Sequence, residues 1–189
     1  MAFWSDISVE PKRTYRWLFY LDGGDPKVGI QTYTVKSVRK PSFSVSSVEH
    51  QYIAHTFNFP GRLTWSPVEV TIVDPVTPDA SATLVRALIG AGYEIPVPST
   101  DDPNRVNRSF SKNKAINSGL GTPRLTQIDA DGRQIEEWSL QNAYLESVDF
   151  GSLDYGTDEM VNITLSLRYD YATYSGDPAG GKLKPVLKA

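Results

Sequence analysis

The stretch FGSLDYGTDEMVNITLSLRYDYA, residues 150–172, holds the most regular pattern in the chain. From Val161 to Tyr171 each odd position is apolar or aromatic: Val161, Ile163, Leu165, Leu167, Tyr169 and Tyr171. The even positions are polar: Asn162, Thr164, Ser166, Arg168 and Asp170. Successive side chains of a strand point to opposite faces, so period-2 alternation predicts a half-buried strand with one wet face. Read as one piece, it is roughly 36 Å long at about 3.3 Å per residue, well beyond an ordinary strand.

Working outward from this stretch, the chain reads as mainly β. Residues 14–21 form a strand with Tyr15, Trp17, Phe19 and Leu21 on one face, followed by a DGGDP turn. QTYTVKSVRK is a second, more polar strand, anchored by Tyr33 and Val35. FSVSSVEHQYIAHTFNFP reads as two strands or a long hairpin turning around Glu49 and His50. RLTWSPVEVTIVD sets Val68, Val70 and Ile72 on one side against Glu69 and Thr71, with Pro67 signalling an edge or bulge. RLTQIDADGRQIEEWSL is a hairpin turning at Asp131-Gly132, and EEWSLQNAYLESVDFG leads back to the opening stretch.

One helix is expected, over about residues 79–90, with Asp79 or Thr77 as cap and Pro78 in its first turn. Leu84, Val85, Leu88 and Ile89 make the stripe expected to pack on a sheet. Residues 94–124 are rich in Pro, Ser, Asn and Gly, carry Arg105, Arg108, Lys112 and Lys114, and read as a long loop of the kind that is functional, disordered or ordered by a partner. Residues 176–189, Gly/Pro-rich and basic, read as an extended arm. The expected organisation is one mostly-β domain over 1–175 followed by this arm.

Composition narrows the function classes. The 189 residues include ten Tyr, seven Phe and four Trp, a richness that suits sheets and subunit interfaces. A net charge of −3 gives no basic excess for unspecific nucleic-acid binding. With no Cys, there is no disulfide framework, thiolate nucleophile or cysteine metal site. No stretch approaches the roughly 20 apolar residues that cross a bilayer, and the N-terminus lacks a signal-like apolar run. The expectation is a soluble protein made without an export signal.

The residues point away from catalysis. His50 and His55, five apart, fall on opposite faces if they share one straight strand, which argues against joint chelation. Asp129-Ala-Asp131-Gly132 begins like a calcium loop, but its glycine comes early and Leu140 stands where the loop's last glutamate belongs. There is no Gly-x-Ser-x-Gly elbow and no phosphate loop. Asp149, Asp154, Asp158 and Glu159 form an acidic cluster that reads as a solvated rim, and the basic residues 105–114 as a solvated or subunit-bridging loop. No catalytic residue, metal ligand or cofactor is expected.

Several of these segments together resemble the tail tube protein of contractile-tailed bacteriophages. They are the strand Val68–Asp74 with its acidic-Pro turn into a helix, the strand Glu137-Trp138-Ser139-Leu140, the Phe150-Gly-x-Leu153-Asp154-Tyr155 turn, and the close on Arg168-Tyr169-Asp170-Tyr171-Ala172. The resemblance implies two packed antiparallel sheets, sandwich- or barrel-like, plus a helix. It implies six copies in a ring whose sheets join a continuous barrel, and rings stacked into a tube inside a contractile sheath. The partners implied are further copies of the chain, sheath, baseplate and tail terminator proteins, with DNA passing through the lumen without specific binding and no membrane. On that reading Asn162, Thr164, Ser166, Arg168 and Asp170 face the lumen, the negative charge keeps DNA off the wall, and Arg105, Arg108, Lys112 and Lys114 serve contacts between subunits or rings. The same fold class leaves open a baseplate tube initiator or a type VI secretion-like tube. A monomeric β-sandwich binding module using Trp65 or Tyr52 is the alternative from another class.

Overall fold

A computed structural model describes residues 10–21, 30–93, 110–117 and 120–176. Among the described residues, ten strands and two α-helices follow one another as β1 (Trp17–Tyr20), β2 (Val35–Val38), β3 (Phe43–Tyr52), β4 (His55–Trp65), β5 (Val68–Val73), α1 (Ala80–Gly90), α2 (Lys112–Asn117), β6 (Arg124–Ile128), β7 (Gln134–Gln141), β8 (Tyr144–Asp149), β9 (Asn162–Arg168) and β10 (Tyr171–Gly176). All strand pairs are antiparallel. They make a β1-β6-β7-β10 sheet, a β2-β5-β9-β8 sheet and a separate β3-β4 hairpin. The architecture is mainly β, as the alternation predicts.

The core lies where the apolar faces of the two four-stranded sheets meet. Val68, Val70 and Ile72 of β5 stand opposite Leu167, Leu165 and Ile163 of β9, and all six are buried. Phe19, Leu125 and Leu140 of the other sheet join the same cluster. Pro67 precedes β5 in a two-residue connector, and β5 is a central strand, so the edge reading of this proline does not apply.

The long strand of the opening stretch is broken. β9 ends at Arg168 and pairs with β5 and β8, whereas β10 begins at Tyr171 and pairs with β7 of the other sheet. Tyr169 is buried at the corner, and the Asp170 N–H donates to the Gln141 carbonyl. Alternating burial persists to Tyr169 while the pairing partners change, and Tyr171 is already exposed.

α1 starts one residue inside its expected span. The Asp79 carboxylate accepts from Ala82 N–H, and the Asp74 carboxylate from Ala80 N–H, Ser81 N–H and the Ser81 hydroxyl. These bonds satisfy donors left free in a first helical turn. Pro78 lies before the cap rather than within the first turn. The buried stripe is Ala80, Leu84, Ala87 and Ala91; Val85, Leu88 and Ile89, expected inside, are exposed. Small alanines let the helix approach closely, so this face, and not the bulkiest one, meets the body.

The mid-chain segment is not loop throughout. α2 occupies Lys112–Asn117, with Ser111 N–H bonded to the Ala91 carbonyl and Phe110 stacked on Tyr93 at 6.0 Å. A six-residue helix without an apolar period holds through such contacts, not through propensity. Arg105, Arg108, the DGGDP turn and all of the expected arm except Gly176, the last residue of β10, lie outside the described residues.

Candidate functional site: surfaces for assembly

The β3-β4 hairpin pairs with neither four-stranded sheet. Its strands are 10 and 11 residues long, about 30 Å at strand rise, and both are exposed except at Trp65. It turns at Ile53-Ala54, not at Glu49-His50, with Ile53 in the left-handed region at φ 53°. A bare two-stranded ribbon is marginal in water, so its root must be held. Ser66 N–H donates to the Ser42 carbonyl, Phe43 meets Trp65 edge-on at 5.3 Å, and Trp65 lies 5.8 Å from Tyr169. Burial pushes the Tyr169 hydroxyl up, against the opposing effect of the Ser42 backbone.

The register contains a bulge with a consequence for the side chains. Val45 pairs with Leu63 but Ser47 with Pro60, so β4 spends one more residue than β3 across this step. Gly61 sits here with no room for a side chain, since a Cβ would lie 2.3 Å from the Ser46 hydroxyl. That hydroxyl accepts from Arg62 N–H at 2.9 Å. Residues opposite each other share a face, so Phe43, Val45, Leu63 and Trp65 lie on one side. Beyond the bulge Val48, His50, Tyr52, His55, Phe57 and Phe59 lie on the other. The apolar stripe therefore changes sides halfway along the hairpin.

The two histidines thus stand on different strands and share a face, and the spacing argument that separated them does not hold. Among the described residues no group of three His, Cys, Asp or Glu is suited to a metal ion. Asp129 is a turn residue: its carboxylate accepts from Asp131 N–H and Arg133 N–H, and Gly132 takes φ 78°.

The wet face of the β2-β5-β9-β8 sheet carries four of the five residues expected at a lumen. Asn162, Thr164, Ser166 and Arg168 alternate along β9 with the buried residues. Asp170 lies past the strand end, where it accepts from Lys112 at 2.7 Å and Asn142 at 2.8 Å. Both contacts, Lys112 foremost, hold its carboxyl below the ordinary range. Arg168 donates to Glu146 at 3.0 Å, and this carboxylate holds its guanidinium above the ordinary value. Arg39 faces Glu69 at 3.9 Å, and Lys36 reaches Asn162 at 3.5 Å. Cations and carboxylates alternate on this face, so the negative charge of the whole chain is not concentrated there. Of the basic residues expected to bridge subunits, Lys112 is engaged within its own chain, and Lys114 is exposed on α2.

The opposite end of the same sheet carries a different surface. Residues 150–161 link β8 to β9 and expose Phe150, Leu153, Tyr155 and Met160, with Leu153 86% exposed. Asp74 N–H bonds to the Val161 carbonyl, which sets exposed Val76 beside this loop. Gly151, at φ 79°, lets the chain pass so close to β9 that a Cβ would lie 2.6 Å from the Asn162 carbonyl oxygen. The carboxylates that read as a solvated rim therefore share this loop with exposed apolar side chains.

A buried carboxylate, unsuspected from sequence, ties several segments together. Glu136 of β7 accepts from Lys12 and from Lys40, and Lys40 also donates to Gln127 at 2.7 Å. Its side chain is 5% exposed, against 46% and 50% for the two lysines. Burial raises the carboxyl, but the hydrogen bonds and charges of Lys12 and Lys40 outweigh it and hold the group below its ordinary value. Lys40 stands three residues before β3, so this contact also fixes the approach to the hairpin.

No family model and no curated protein matches the sequence. Solved structures do match the fold. A chain of the tube-terminating cap of the anti-feeding prophage aligns with a TM-score of 0.61 at 16% identity, over 94% of this chain and 100% of that one. A chain of the sheath–tube complex of an extracellular contractile injection system, PVC, in its extended state gives 0.61 at 14% identity, over 92% and 97%. A chain of the anti-feeding prophage baseplate gives 0.61 at 13%, over 88% and 97%. With two packed sheets, a capped helix and near-complete mutual coverage of these chains, this chain has the tail-tube-like fold found in contractile injection systems.

Proposed function

We propose that this chain is a structural subunit of the tube of a contractile tail or injection particle, with assembly rather than catalysis as its role. The observation that carries the reading is the β3-β4 hairpin. A monomer does not gain from projecting a ribbon that exposes Phe43, Val48, Tyr52, Phe57, Phe59 and Leu63, whereas a repeating assembly covers it. Copies form a ring, six on the resemblance, and rings stack, with sheath, baseplate and terminator proteins as further partners. Asn162, Thr164, Ser166 and Arg168 line the lumen in this arrangement, and Asp170 sits at its margin. The paired charges of that face suit passage of a polymer such as DNA without retention. The likeness to cap and baseplate chains supports a second reading, a subunit at one end of the tube.

Negative-stain electron microscopy of the purified chain tests this. Rings or stacked tubes are expected, and tubes of indefinite length favour the main tube while single rings favour an end piece. A strictly monomeric species at millimolar concentration would overturn both.

A further inference from the structure

The hairpin and the 150–161 loop leave the body at opposite ends of one sheet. The hairpin joins β5 at Val68, which pairs with Leu167 at the end of β9; the loop enters β9 at Asn162, which pairs with Val73. The six residues of β5 separate these ends by about 17 Å. Both ends are exposed and apolar, and their chemistry differs. The distal hairpin face, from Val48 to Phe59, carries two imidazoles and no carboxylate, because Glu49 pairs with Asn58 on the reverse side. Residues 149–161 carry four carboxylates, Asp149, Asp154, Asp158 and Glu159, and no Lys, Arg or His.

We infer that the 150–161 loop is the socket for the hairpin of a second copy of this chain, so that copies join head to tail. Unlike surfaces at opposite ends of a subunit give a heterologous contact, which propagates as an open stack instead of stopping at a dimer. Leu153, Tyr155 and Met160, with Val76 beside them, meet the apolar distal face of the incoming hairpin. The neighbouring carboxylates accept hydrogen bonds from His50 and His55. The inference rests on the tube reading and adds the receiving surface to it.

The absence of Cys allows a direct test. Ala54→Cys marks the hairpin turn and Ser152→Cys the loop; each single variant and the double variant are treated with a short bis-maleimide and run on denaturing gels. The double variant is expected to give a ladder, the mixture of single variants dimers, and each single variant alone monomers. A dimer from Ala54→Cys alone means that hairpins meet each other and overturns the socket. Tubes visible by microscopy without a ladder also overturn it while leaving the tube reading intact. If in such tubes Ser152→Cys reacts with a mono-maleimide as fast as in the monomer, the loop is open to another partner such as the sheath. As an independent measure, the Leu153→Asp/Tyr155→Asp variant should keep its circular dichroism spectrum and thermal midpoint while stacking falls at least tenfold. Undiminished stacking refutes the socket. A wild-type chain that never associates refutes the tube reading, and the socket with it.

Discussion

Replacing the partners of Glu136 should change the sign of its contribution to stability. In the native chain the carboxylate is 5% exposed and accepts from two ammonium groups that are themselves about half in water. Glu136→Gln removes the charge and leaves lysines that can turn to solvent; with charged hydrogen bonds at about 1.5–3 kcal/mol each and desolvation opposing them, the net loss is about 1–3 kcal/mol. Lys12→Ala/Lys40→Ala is the harsher change, because it leaves the carboxylate buried with neither cation. Breaking a buried pair from that side costs about 3–5 kcal/mol. The pH dependence separates the two cases. The native carboxyl is held below its ordinary value, so its stabilisation is fully present above the unfolded value of about 4.3 and is lost as pH falls through the lower folded value. Without the lysines, burial raises the folded value, and the penalty at neutral pH is relieved on acidification toward the unfolded value. Urea unfolding at pH 7.0 and 4.5 should therefore show the gap between wild type and the double lysine variant narrowing at the lower pH. An equal gap at both pH values, or a Glu136→Gln loss as large as that of the double lysine variant, would refute the account of this site.

Other changes test separate parts of the molecule. Tyr52→Asp/Phe57→Asp lies on the exposed distal hairpin and should alter folding stability by about 0.5 kcal/mol or less while abolishing assembly seen by light scattering. Gly151→Ala forces a side chain into the left-handed region and against Asn162, and should cost about 1–3 kcal/mol in chemical denaturation. Arg168→Glu sets two carboxylates together on the exposed sheet face. It should leave the thermal midpoint close to wild type and change transport or ejection; loss of the fold would show that this face is not a wet wall.

The parts of the fold that follow from side-chain periodicity are legible in the sequence. Val68, Val70 and Ile72, with Ile163, Leu165 and Leu167, announce two paired strands, and Asp131-Gly132 marks the hairpin it makes. The break after Arg168 is silent because period-2 burial continues through Tyr169 while hydrogen-bonding partners change from one sheet to the other. The hairpin turn is silent for another reason: Ile53 takes a positive φ where a Gly or Asn signal is expected. In α1, small alanines outcompete larger residues for the buried face, an effect of close approach that a hydrophobic count does not weigh. The candidate assembly surfaces were hidden in the same way. Phe57, Phe59, Leu153 and Tyr155 look like core residues until their exposure is known, and Glu136 looks like a surface acid.

The side-switch in the hairpin constrains how this segment can vary in length. Val45 and Val48, three apart on β3, fall on opposite faces, whereas Leu63 and Phe59, four apart on β4, would share a face on a regular strand; the extra residue of the Pro60–Leu63 step brings the two strands into phase. Loss of Asn58 alone would slip the register beyond it, setting Phe57 opposite Glu49 and Thr56 opposite His50 while the root keeps its aromatic anchor. Paired gains or losses at the turn itself, one residue on each strand, keep every pairing nearer the root and alter only the reach. Relatives of this chain should therefore differ in hairpin length by even numbers of residues beyond the bulge, and the Gly61 step itself should behave as a fixed phase marker.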